Sequence, residues 1–174
     1  MLVPAVKGAD TELMGNLFLE VTRDGFEQVG LVDPELAIYV SGVLKDFVKV
    51  ENFYWQGASG GPVRYIVDME HESRRGDSAH ARVWQKHIGD FALFVVGMFP
   101  ESLARPRRSL GCDYYIAYGR HAYKPVSIIE QRKPIAALFS KLADKFELCV
   151  RGLNVERDYF ADDFYQYLIR QIFW

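Results

Sequence analysis

The chain has 174 residues, 49% of them hydrophobic and 25% charged, with a formal net charge of −2. That length is one ordinary domain, able to bury about two-thirds of the surface its unfolded form exposes, and the composition excludes wholesale disorder. The slightly acidic balance gives no global attraction to nucleic acid or anionic lipid, so neither is expected as a partner.

Apolar residues recur at helical spacing, and no convincing strand is predicted. The first helix is predicted over about 10–28, with Leu13, Leu17 and Val21 four residues apart and Gly30 as its stop. The second has the clearest start signal: Asp33 as cap, Pro34 at the first helical position, and Glu35 near the positive end of the dipole. Leu36, Tyr39, Val40, Val43, Leu44, Phe47 and Val48 mark its apolar face. Residues 51–61 read as a loop punctuated by Gly57, Ser59, Gly60 and Gly61. A short helix follows over about 62–71, with Val63, Ile66 and Val67 on its apolar side, and then a polar break from Arg74 to Asp77.

The central helix is predicted over about 78–99. Trp84, Ile88, Phe91, Val95 and Met98 follow one stripe, and beyond Phe91 nearly every side is apolar, the mark of a buried helix. Pro100 breaks it, and Arg105-Pro106-Arg107-Arg108 reads as an exposed connection. Asp113 is placed as the cap of a tyrosine-rich helix that Pro125 must kink or end, and Ser127 with Glu130 has the spacing of a capping box for a restart. A long helix over about 134–154 carries Ile135, Leu138, Phe139, Leu142, Phe146, Cys149, Val150 and Leu153 on one face. A last helix over about 162–174 has Phe164, Leu168 and Ile172 as its stripe. The expected architecture is all-α: one domain over 1–174, a bundle of about six helices around the buried central one.

Gly89-Asp90-Phe91-Ala92-Leu93-Phe94, then Gly97-Met98-Phe99-Pro100-Glu101, Asp113-Tyr114-Tyr115 and Tyr118-Gly119-Arg120-His121-Ala122-Tyr123 form a recognisable pattern. It resembles a group of bacterial helical proteins with no assigned function, over Gly89 to about Leu153. The resemblance implies a helical bacterial cytoplasmic protein and brings no reaction, cofactor or catalytic residue with it.

Asp90 is the group most in need of explanation. On a stripe bordering the buried face it requires a partner, with Arg120, His121 or a tyrosine hydroxyl of the next helix as candidates. Two readings follow: a polar clamp between helices, or a general base with His87 or His121 as proton partner. Gly89, Gly97 and Gly119 each cost about 1 kcal/mol inside a helix, which close helix approach would offset. His80, His87 and Asp90 share a helix, with His71 between Glu70 and Glu72 nearby. There is no second copy of a ligand pair from another helix, so neither metal nor cofactor is expected.

The last fifteen residues hold more large apolar side chains than one helix face can bury. Phe164, Tyr167, Leu168, Ile172, Phe173 and Trp174 are therefore candidates for a homodimer or partner contact. Cys112 and Cys149 lack metal-ligand spacing, and Met1 to Val6 lacks a basic leader, so a reduced cytoplasmic setting is expected.

Two functions fit. One is a non-enzymatic binding or regulatory module, acting through a dimer or a protein partner. The other is a small-molecule site, binding or hydrolytic or metal-assisted, between the central and tyrosine-rich helices. Its walls would be His87, Asp90, Phe94, Tyr115, Tyr118, Arg120 and His121.

Overall fold

The computed structural model describes residues 8–104 and 110–159, and beyond them Gln166, Ile169 and Arg170. Among the described residues the protein is all-α, an antiparallel bridge between Gln56 and Pro62 being isolated from any strand. The elements are α1 (Gly8–Gln28), α2 (Pro34–Phe47), α3 (Val50–Phe53), α4 (Ile66–Ser73), α5 (Ser78–Met98), α6 (Pro100–Leu103), α7 (Cys112–Ile129), α8 (Ile135–Asp144) and α9 (Phe146–Glu156), with a 3₁₀ turn at Arg157–Tyr159.

α5 is the spine, as its composition requires. Asp77 caps it by accepting from the His80 amide at 2.9 Å. From His87 to Met98 every residue is buried, because α2, α4, α7 and α9 pack around it. Pro100 ends it: Phe99 leaves helical geometry (φ −132°, ψ 43°) and α6 begins. The carbonyls that this last turn leaves without an intrahelical partner are met by Asn154 of α9, whose side-chain amide donates to Val96 at 3.0 Å and Gly97 at 2.7 Å.

Glycines set the crossings. A Cβ at Gly97 would strike the Leu153 side chain, and one at Gly119 would meet Phe146 and Ala92. α1 and α9 meet backbone to backbone, Gly25 lying on the carbonyl of Gly152. Close approach is therefore what these residues provide.

Several boundaries differ from expectation. The buried face of α1 is Phe18, Val21, Thr22, Gly25 and Phe26, while Leu13 and Leu17 are exposed. The contacting face contains a threonine and a glycine, so apolar spacing alone points to the wrong side. The 51–61 loop opens with the short helix α3, and α4 starts four residues later than predicted, leaving Val67 exposed. Gly111, not Asp113, is the residue before α7.

Pro125 lies inside α7, which continues to Ile129. The carbonyl that proline leaves unpaired belongs to His121, an exposed residue where water can serve. Ser127 accordingly donates to the Lys124 carbonyl at 2.8 Å within the same helix and caps no restart. The long 134–154 helix is two helices. Lys145 (φ −104°, ψ 15°) turns the chain, so α8 lies on α7 while α9 swings across to α1 and α5. Ile135, at the start of α8, is exposed. Of the predicted last helix, Ile169 is buried. The basic connection 105–108 lies outside the described residues.

Candidate functional site

Asp90 sits where α2, α5 and α7 converge. Its Oδ1 accepts from the Tyr39 hydroxyl at 2.6 Å and from the Tyr123 hydroxyl at 2.7 Å, and its Oδ2 accepts from Lys86 Nζ at 2.6 Å. The carboxylate is 5% exposed, so three donors, one of them cationic, are what keeps it there. Lys86 stands one helical turn before Asp90 and lies over the Tyr39 ring, 5.4 Å from its centre. The rings of Tyr39 and Tyr123 meet edge to face at 6.4 Å, and Phe139 of α8 touches both.

Gly89 explains how Tyr123 gets there. A Cβ at this position would overlap the Tyr123 ring, so only glycine lets the phenol cross α5 and reach the next residue's carboxylate. Burial, and then the charge of Asp90, push the hydroxyls of Tyr39 and Tyr123 well above the usual tyrosine range. Both remain neutral donors. A general base needs a free lone pair within reach of a substrate proton, whereas Oδ1 of Asp90 is engaged by both Tyr39 and Tyr123, and Oδ2 by Lys86.

His87 occupies a separate, aromatic niche. Its ring stacks on Trp55 at 3.9 Å and 16°, with Phe47, Trp84 and Phe91 around it. It donates to the Phe53 carbonyl, and its buried Nε2 has no hydrogen-bond partner. Burial, and then the neighbouring charge of Lys86, lower its pKa to about 3. A neutral ring of this kind does not exchange protons with Asp90 near pH 7.

The other predicted wall residues separate. Phe94 is buried against Phe47, Phe53 and Phe99. Tyr115 is half-buried, and Tyr118 is exposed with its ring against Tyr114. Arg120 faces Glu147 of α9 at 3.6 Å on the surface, and His121 is exposed on α7. Neither Arg120 nor His121 is brought to Asp90: the tyrosine alternative is the one the helix register selects.

A cleft of about 120 Å³ lies at the α1–α2 corner, lined by Arg23, Phe26, Glu27, Leu31 and Asp33 among others, and none of the predicted wall residues borders it. His80 Nε2 lies 2.9 Å from the Glu72 carbonyl, and among the described residues no three His, Cys, Asp or Glu side chains converge as metal ligands would.

Tyr39 and Lys86 were not singled out by sequence. Lys86 carries a readable signal, a cation four residues before an acid. Tyr39 lies on an apolar stripe, which predicts burial and says nothing of its hydroxyl's acceptor. The interface candidates Phe164, Tyr167, Leu168, Ile172, Phe173 and Trp174 lie outside the described residues.

In comparisons with known proteins no family model matches the chain, and no curated protein or solved structure matches it significantly.

Proposed function

We propose that the protein is a non-enzymatic cytoplasmic binding or regulatory module that works through a second copy of itself or a protein partner. The observation that carries this reading is the Asp90 cluster. Its buried carboxylate is held by two phenols and by the ammonium of half-buried Lys86, donors from three helices, which is how a helix clamp is built. The separation of Arg120 and His121 from that cluster supports it further, since the expected catalytic constellation loses its members. The likeness of the Gly89–Tyr123 pattern to bacterial helical proteins supports a bacterial setting.

The contact is assigned to the C-terminal segment. Its aromatic load, Phe173 and Trp174 above all, exceeds what one helix face buries, and interfaces concentrate such side chains. The test is the solution mass of the full chain over a range of concentrations, beside the variant Phe173→Ser/Trp174→Ser. A dimer that the double variant dissociates, with far-UV dichroism unchanged, is the expected result. A monomer at every concentration with no protein captured through this segment sinks the proposal.

A further inference from the structure

Two helix turns share one end of the bundle. The α4–α5 turn holds Arg74 and Arg75, and the α7–α8 turn holds Arg132 and Lys133. They are at the same end because Arg82, near the start of α5, pairs with Glu130 at the end of α7.

Charge at this end is sorted by depth. The side chains of Arg74 and Arg75 are 78% and 51% exposed, whereas those of their partners Glu70 and Glu72 are 16% and 12% exposed. Lys133 is 68% exposed and its partner Glu130 is 3% exposed. Arg132 and Lys124 are exposed as well. Asp77 is an exposed acid here, with its carboxylate engaged in capping α5. What meets the solvent is therefore mainly cationic.

Aliphatic side chains bracket the same turn, uncovered among the described residues. Ile128 is 65% exposed and Ile129 37%, the last two residues of α7, and Ile135, the first of α8, is 38% exposed.

The geometry points to docking of this end of the bundle on an anionic lipid surface. Cations would face the headgroups while the isoleucines enter the boundary between headgroups and acyl chains. Both halves of the pattern are needed for that choice of occupant. Basic residues alone suit any anion, but single-stranded nucleic acid takes aromatic or planar side chains against its bases, and the uncovered side chains beside these cations are aliphatic. A lipid surface uses basic and aliphatic residues together. The contact is peripheral, since no helix among the described residues is long and apolar enough to cross a membrane. The net charge of −2 does not oppose it, because fields are screened over about 8 Å and the local surface decides.

The experiment is co-sedimentation of the full chain with vesicles of phosphatidylcholine and phosphatidylserine, and with vesicles of phosphatidylcholine alone, at low and high salt. Binding to the mixed vesicles at low salt, and little to phosphatidylcholine, is expected. Arg74→Ala/Arg132→Ala should weaken that binding about 30-fold, at roughly 1 kcal/mol per cation. Ile128→Ser should weaken it as well, and the exposure of all three side chains keeps folding out of the result. Absence of binding to mixed vesicles at low salt overturns the inference, as does binding indifferent to Ile128→Ser, which would be charge adsorption. Saturable binding of poly-glutamate with no vesicle binding overturns it in favour of an acidic protein surface. None of these outcomes depends on whether the chain dimerises.

Discussion

A methyl group at Gly89 would fall within the phenol ring of Tyr123, the side chain that delivers a hydroxyl to Asp90. This close approach of α5 and α7 and the clamp at Asp90 are thus one feature. The substitution Gly89→Ala gains up to about 1 kcal/mol of helix propensity and loses more by forcing the ring aside, so a net destabilisation of about 1–3 kcal/mol is expected. Gly42, inside α2 with nothing near its missing Cβ, is the control. There, alanine should stabilise by about 0.5–1 kcal/mol. Urea denaturation of both variants measures the opposed signs.

The clamp itself is tested by Tyr39→Phe and Tyr123→Phe. Each removes one donor from Oδ1 and should cost about 1.5–3 kcal/mol, in the range for hydrogen bonds to charged groups. Because both hydroxyls serve one oxygen, the double variant should depart from additivity. A strictly additive cycle would show that the two phenols act independently.

Acidification should act through His87. Its folded pKa of about 3 lies below the 6.5 of an unfolded imidazole, so between those values the unfolded chain takes up a proton that the native one refuses. The contribution is whole above pH 6.5, is lost as pH falls toward 3, and amounts to several kcal/mol. The variant His87→Phe, which keeps an aromatic ring against Trp55, should flatten this part of the stability–pH curve. Denaturant midpoints from pH 7 to 4 decide it, and an unchanged slope would acquit His87.

Thiol chemistry reports on the same core. Cys149 is fully buried, and burial drives its pKa up to about 12. An aromatic disulfide reagent should therefore modify Cys149 only as fast as the molecule opens, and denaturant should accelerate that phase in step with global unfolding. Modification at the rate of a free thiol would show that α9 detaches alone.

How much was legible follows a physical line. Caps and apolar runs are local, so the Asp33 cap and the buried spine from Trp84 to Phe99 could be read directly. The partner of Asp90 was narrowed to the stretch after Cys112, and Tyr123 lies there, but Tyr39 comes from a helix fifty-one residues away. The side of α1 that packs includes buried Thr22 and Gly25, the latter meeting α9, and small or polar residues leave no stripe to follow. The turn at Lys145 has no glycine or proline to announce it, because the chain bends there to satisfy α1 and α5. Tertiary demand, not local preference, wrote those parts.

The seating of Gly25 on Gly152 has a consequence for biosynthesis. While the ribosome is still making α2 through α8, α1 can dock on α2, but the face around Gly25 that seats on Gly152 stays wet until α9 emerges. Closure of the N-terminal helix is therefore a late, long-range event in the life of each nascent chain, and the interval before it is when a chaperone would find most to hold.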